Sequence, residues 1–459
     1  MIKIMIIADD LTGAADTGVK FTACGPVRLI NAGFSLASAG KGDRPSSPQS
    51  PEIGLDEILA VNTETRNVPA DKVPGALAQA IAYGGRPLPD LIYKKIDSCL
   101  RGHVGLELSC LLESRPYKAA LVAPAYPAFN RITKESLHYI DGRPVSETEL
   151  ARDPLRPVKD SNLNRVISEG HNLPVHSLRL GDVRQGPEAL ALKIKHLLNK
   201  SERCLFAVDS ETDEDLDLVA EAGLMVGGLE PAQPQPGQNE ATSPPPGRPI
   251  APAGVPALIL AGSAGLAEAL CRRLGPGEQG PRGVPPNHQA SQAEAMLRLR
   301  KNLKGPLIFF GGSASEVLRS QLNYLAEDCG ADILTLDPAE LLAGEERCPV
   351  RLSDGETLVV NLPRPEDRPV YSSLDLIAAF GRRTAGLIRE LKPKAVFLSG
   401  GDTARAALEA LGIEQMLIKA ELRPGVVLLS HGDLDIVTKS GTFGRISLLG
   451  EIRQMLANK

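Results

Sequence analysis

An α/β fold in two domains, each with a mostly parallel sheet flanked by helices, is predicted by two observations on this 459-residue chain. Short apolar runs rich in β-branched residues alternate with helical periodicity, and Gly, Asp and Ser gather in the loops that follow those runs. Strand–loop–helix alternation buries a sheet on both faces, which is the parallel arrangement. In chain order, Ile4–Ala8, Val27–Asn31, Leu91–Ile96, Ala119–Ala123 and Ala257–Ala261 read as buried strands of the first domain. Leu307–Phe310, Thr357–Asn361, Ala395–Ser399 and Val426–Ser430 read as those of the second. Helical patterns Gly13–Ala23, Gly262–Leu274, Ser315–Asp328 and Asp402–Leu411 follow four of them. The segment Pro231–Pro256 holds nine prolines in 26 residues and reads as an exposed insertion. Arg44–Pro51 reads as a loop. The Gly/Pro-rich stretch Gly275–Pro286, before a helix from about Ser291, marks the expected boundary between a domain of residues 1–280 and one of residues 290–459.

Composition narrows the function classes. Hydrophobic residues at 42% and charged residues at 23% suit a soluble globular chain able to bury a core without staples. A net charge of −5 argues against a general nucleic-acid binder, and 3% aromatics with no Trp leave little for a base-stacking platform. Seven cysteines, odd in number and without a C-x-x-C, point to a reduced cytoplasmic setting rather than a disulfide framework. No apolar stretch is long enough to cross a bilayer, and the apolar start meets Asp9-Asp10 too soon for a signal peptide. Partners are expected to be small molecules rather than nucleic acid or membrane, with a homodimer left open.

In parallel-sheet folds ligands sit at the C-terminal ends of the strands, so the loops there are where chemistry is expected. Asp9-Asp10-Leu-Thr-Gly13 follows the first strand; one carboxylate can cap the helix while the other binds hydroxyls or accepts a proton. The alternative is that both only cap and solvate the turn. Lys94-Lys95-Ile-Asp97-Ser-Cys-Leu-Arg101-Gly102 ends another strand with cations, a carboxylate and an Arg able to grip a planar carboxylate by two parallel bonds. A surface salt-bridge run is the alternative there. Cys99, with no His nearby in sequence, reads as structural. The Pro- and polar-rich segment from Pro124 supplies Arg131 as a second anion contact and His138 as a substrate-binding or packing residue.

Three glycine-rich turns follow later strands: Gly262-Ser-Ala-Gly265, Gly311-Gly-Ser313-Ala-Ser315 and Ser399-Gly400-Gly401-Asp402-Thr403. The last two make a plausible phosphate cradle without a Walker motif, and Asp402 is either a helix cap or a group that organises Mg²⁺ or ribose. Lys439-Ser-Gly441-Thr-Phe-Gly444 adds a cation beside flexible backbone; a plain hairpin turn is the alternative. The string Gly275-Pro-Gly-Glu-Gln-Gly280 fits a dinucleotide fingerprint only on paper, because a helix rather than a strand precedes it.

Taken together and in order, Asp9–Gly13, Lys95–Gly102, Pro124–Thr133 with His138-Tyr139, Gly262–Gly265, Gly400–Thr403 and Lys439–Gly444 resemble the four-carbon acid sugar kinase family. The resemblance implies ATP-dependent phosphorylation of the terminal hydroxyl of threonate, erythronate or 3-oxo-tetronate. It implies an N-terminal domain holding the sugar acid through Asp9, Asp10, Asp97 and Arg101, and a C-terminal domain holding ATP through Ser313, Ser315, Gly400 to Thr403 and Gly441. On this reading Arg101 with Lys94 or Lys95 fixes the substrate carboxylate, and Asp9 or Asp10 is the base or orienting acceptor. Mg²⁺ bridges the ATP phosphates, with its protein ligands left open, and the two ligands are expected to meet over a shared crevice. A sugar-acid sensor without turnover and an NAD(P)-dependent dehydrogenase are the other readings.

Overall fold

The computed structural model describes residues 3–32, 57–85, 89–114, 117–153, 155–229, 257–275, 297, 306–312, 315–344, 352, 356–363, 373–393, 395–441 and 444–457. The expectations for Arg44–Pro51, Pro231–Pro256, the helix from Ser291 apart from residue 297, and Ser313 lie outside these residues, as does all but the first residue of Gly275–Pro286. Among the described residues eighteen strands are formed. They are β1 Ile4–Ala8, β2 Val27–Asn31, β3 Ile58–Asn62, β4 Leu91–Lys95, β5 Tyr117–Ala123, β6 Arg131–Lys134, β7 Leu137–Ile140, β8 Arg143–Pro144 and β9 Val175–Leu178. Then come β10 Cys204–Val208, β11 Ala257–Gly262, β12 Leu307–Gly311, β13 Asp332–Thr335, β14 Thr357–Asn361, β15 Ala395–Ser399, β16 Gln415–Arg423, β17 Val426–His431 and β18 Leu434–Lys439.

The chain divides into two units: Met1–Pro26 with Ser35–Gln279, and Val27–Phe34 with Gly280–Lys459. In the first, seven parallel strands run in the order β3-β1-β4-β11-β5-β10-β9. β1 and β3 are buried along their whole length, as a strand covered by helices on both faces must be. A separate antiparallel ribbon, β6-β7-β8, is laid down by the polar segment after Pro124.

The second unit holds five parallel strands in the order β13-β14-β12-β15-β18, continued by antiparallel β17, β16 and β2. Strand β2, expected with the front of the chain, pairs Val27–Ile30 against Ile418–Gln415, so the division is not a single cut in the sequence. β16 shows the period-2 pattern of a half-covered strand: Met416, Ile418, Ala420 and Leu422 are buried and their neighbours are not. Phe309 and Phe397 stack at 4.1 Å between ring centres in the core of this unit.

Candidate functional site

In the first unit, register decides which loops meet. Ala8 at the end of β1 lies beside Asn62 on β3 and beside Lys95 on β4. The chain therefore leaves three neighbouring strands at one level, and Asp9-Asp10, Thr63–Arg66 and Ile96–Arg101 converge. Asp10 caps the helix Leu11–Phe21, accepting from the Gly13 amide at 3.0 Å and the Thr12 hydroxyl at 2.6 Å. Gly13 is glycine for a spatial reason: a Cβ there would meet the Asp10 carboxylate and lie 2.8 Å from the Lys95 ammonium.

Arg66 is the residue that sequence reasoning missed. Its Nε and Nη2 donate to the two oxygens of Asp9 at 2.8 and 3.0 Å, and Nη2 also donates to Asp10 at 2.8 Å. A guanidinium between adjacent carboxylates removes the repulsion that makes an Asp-Asp pair unusual. Arg101 grips Asp97 through Nε at 2.7 Å and Nη2 at 3.3 Å, and reaches Asp153 at 3.3 Å. The available signal for Arg66 was the apolar run Ile58–Val61, a strand whose following loop ends in Arg.

The electrostatics follow from this packing. Burial alone would raise the Asp97 carboxyl, but Arg101, Arg66 and Lys95 overcome it and hold the group well below the usual carboxylate range. Asp10 is likewise opposed by burial and lowered by Arg66 and Lys95. Both are carboxylates at neutral pH. Burial pushes the Cys99 thiol up, which leaves it a poor nucleophile.

The two lysines on β4 part company, because successive side chains leave a strand on opposite faces. Lys94 is wholly buried, and its ammonium is paired with Glu107 at 2.9 Å and the Lys95 carbonyl at 2.9 Å. Lys95 points to the carboxylate cluster. Among the described residues its ammonium has no hydrogen-bond or ion-pair partner, although the residue is only 5% exposed.

Arg131 donates to the Ser98 hydroxyl, and His138 lies between the Ser98 carbonyl at 2.9 Å and the Thr133 hydroxyl at 3.0 Å. The turn after β11 is also structural: Ser263 caps its helix and donates to the Ala125 carbonyl at 2.7 Å, and a Cβ on Gly265 would lie 2.8 Å from that same carbonyl.

In the second unit Gly311 pairs with Ser399 and Ser399 with Lys439, so β12, β15 and β18 deliver their C-terminal ends side by side. This brings together Gly312, Ser315, Gly400–Thr403, Lys439 and Gly441. The Ser315 hydroxyl donates to the Gly441 carbonyl at 2.9 Å, and the Gly400 amide to the Lys439 carbonyl at 2.9 Å. Gly400 takes φ +96°, a region that excludes most side chains, and no side chain caps the eleven-residue helix Gly401–Leu411 that it opens. First-turn amides without a side-chain cap, flanked by glycines, are the chemistry a phosphate requires. Burial pushes the Lys439 ammonium down to about 7. No group of three or more His, Cys, Asp or Glu side chains suited to a metal occurs among the described residues. A nucleotide-borne Mg²⁺ needs no such cage, since phosphates and water supply most of its ligands.

A family model described as a sugar-binding N-terminal domain matches residues 4–229, and one described as a nucleotide-binding C-terminal domain matches residues 309–449. A D-threonate kinase of Salmonella typhimurium is 28% identical over 97% of this chain and 96% of its own. A 3-oxo-tetronate kinase of Methylobacterium radiotolerans is 24% identical over 98% of each chain. A D-erythronate kinase of Heliobacterium modesticaldum is 30% identical over 52% of this chain and 51% of its own. Two solved structures share the fold: a Salmonella typhimurium protein (TM-score 0.69, 19% identity, 99% of both chains) and a Haemophilus influenzae protein (TM-score 0.64, 18% identity, 98% and 100%). Matched by a sugar-binding model in front and a nucleotide-binding model behind, over most of its length, the chain belongs to the four-carbon acid sugar kinase family.

Proposed function

We propose that this protein is an ATP-dependent kinase that phosphorylates the terminal hydroxyl of a four-carbon sugar acid. The observation that carries the reading is the buried cluster at the ends of β1, β3 and β4. Three carboxylates there are paired with two guanidiniums, and one ammonium has no hydrogen-bond or ion-pair partner among the described residues. A small polyhydroxy acid complements such a cluster: its hydroxyls donate to carboxylates and its own carboxylate takes the ammonium.

The roles follow from donor and acceptor capacity. Lys95, with the guanidinium hydrogens of Arg101 not used on Asp97 and Asp153, takes the substrate carboxylate. Asp97 accepts from a hydroxyl. Asp10 already accepts three hydrogen bonds and Asp9 only two, so Asp9 has more lone-pair capacity left to orient the terminal hydroxyl. Phosphoryl transfer gains most from positioning and charge neutralisation, so an anionic acceptor aligned on the hydroxyl suffices.

In the second unit Gly312, Gly400, Gly401, Thr403, Ser315, Gly441 and Lys439 would cradle the nucleotide phosphates, and Asp402 would help hold Mg²⁺ through water. The bound ion supplies charge neutralisation on the transferring phosphoryl group.

An ADP-release assay over D-threonate, D-erythronate and 3-oxo-tetronate, with NAD(P) reduction measured in parallel, tests this. The expected result is ADP release stimulated by at least one acid, with phosphorus NMR placing the new ester on its terminal carbon. No stimulation by any four-carbon acid, or reduction of NAD(P), would overturn it.

A further inference from the structure

The β6–β7 ribbon sends two side chains to a single residue. Arg131, at the start of β6, donates to the Ser98 hydroxyl. His138, on β7, is 0% exposed, and its Nε2 lies 2.9 Å from the Ser98 carbonyl. A carbonyl only accepts, so Nε2 carries the proton, and Nδ1 accepts from the Thr133 hydroxyl at 3.0 Å. The ribbon is itself tied down: Thr133 exchanges two backbone bonds of 2.9 Å with Ser210, and the His138 amide donates to the Ser161 carbonyl at 2.8 Å.

Ser98 stands between Asp97 and the residues that bring Arg101 back onto it. That return is strained. Leu100 adopts φ +62°, unusual for a branched side chain, and persists only where surrounding structure fixes it. Within the turn the Leu100 amide donates to the Asp97 carbonyl at 2.9 Å and the Arg101 amide to the Asp97 carboxylate at 3.2 Å.

We propose that Arg131 and His138 form a two-point clamp on Ser98 that positions Asp97 and Arg101 for the substrate, as positioning residues rather than ligand contacts. This rests on the sugar-acid reading of the cluster. The charges that act on His138 are those of Arg131 and Asp97. A neutral imidazole donates to the carbonyl without adding a second cation beside Arg131, and burial together with Arg131 keeps the ring neutral, its pKa pushed down to about 4.

The test compares His138→Leu, His138→Gln, whose amide nitrogen can replace the Nε2 donor, and Ser98→Ala, which removes only the Arg131 half and spares a large core side chain. Native-state hydrogen exchange is read at the Leu100 and Arg101 amides, and KM is measured for the sugar acid and for ATP. His138→Leu is expected to speed exchange at both amides and raise the sugar-acid KM, each by about tenfold or more, leaving the ATP KM within about twofold. His138→Gln should restore both readings to within about threefold, and Ser98→Ala should show a smaller change in the same direction. Wild-type exchange at Leu100 and Arg101 in both His138→Leu and Ser98→Ala, or equal rises in both KM values, would overturn the clamp. Should the wild-type protein turn over no sugar acid, the substrate reading fails, while the exchange rates still decide the clamp.

Discussion

The sites proposed in the two units prepare for an anion at the C-terminal ends of parallel strands by opposite means. The first buries side-chain charge: Asp9, Asp10, Asp97, Arg66, Arg101 and Lys95 lie within three neighbouring loops. The second relies on backbone, with glycines at 312, 400, 401 and 441, the N-terminus of a helix without a side-chain cap, and one buried lysine. Charged side chains can tell one small hydroxy acid from another, because each hydroxyl needs its own acceptor in place. Backbone amides grip any phosphate alike. The discriminating half therefore carries a heavy desolvation cost that its own counter-charges must offset, and it is the half more exposed to damage by single substitutions.

That contrast can be broken most easily at Arg66. Arg66→Ala leaves Asp9 buried without its guanidinium partner and Asp10 with only Lys95 and its helix-cap bonds, and is expected to cost about 3–5 kcal/mol of stability in the first unit. Chemical denaturation checks this; a loss below about 1 kcal/mol would mean the carboxylates are solvated and the cluster is not the buried network described.

Acid should also act on the first unit. His138 is ordinarily half-protonated near 6.5 and is pushed down to about 4 in the fold. The unfolded chain therefore binds a proton that the folded chain refuses, and stability falls as pH drops from about 6.5 towards 4, by on the order of 3 kcal/mol. Melting curves at pH 7, 6, 5 and 4 should show this decline, and it should vanish in His138→Gln. A decline of the same size in that variant would assign it to other groups.

In the second unit the sensitive element is space. A Cβ on Gly312 would lie 2.8 Å from the Thr403 hydroxyl and 3.1 Å from the Phe380 ring. Gly312→Val is expected to cost about 1–3 kcal/mol of local stability and to weaken ATP binding while leaving sugar-acid affinity intact. Loss of sugar-acid affinity instead would contradict the assignment of ligands to units.

How much of this was legible in the sequence differs between strands and partners. Strands buried on both faces announce themselves as apolar runs, so β1, β2, β4, β12, β14 and β15 were visible. Long-range pairing was not. Arg66 reaches Asp9 only because β3 and β4 flank β1 in one register, which no local pattern encodes. Nor does composition say which of two adjacent lysines faces a site: Lys95 does, and Lys94 is turned to Glu107. Arg131 reads as an anion contact and His138 as a substrate-binding or packing residue because polar residues in a long loop usually bind or support a ligand. The bonds that both make to Ser98 become visible only once the ribbon is folded. Strand β2, apolar and β-rich, was plain as a strand, yet nothing local assigns it to the second unit.

The most direct test of the sugar-acid site is isothermal titration of the acid into the wild-type protein and Lys95→Met. Lys95 makes no hydrogen bond or ion pair among the described residues, but its charge helps offset the burial of Asp10 and Asp97, so a melting curve of Lys95→Met run alongside separates binding from folding. The account predicts an affinity for the sugar acid lower by about tenfold to a hundredfold, as loss of a charged hydrogen bond requires, with ATP–Mg²⁺ affinity unchanged. Undiminished binding of the acid by a folded Lys95→Met protein would contradict it.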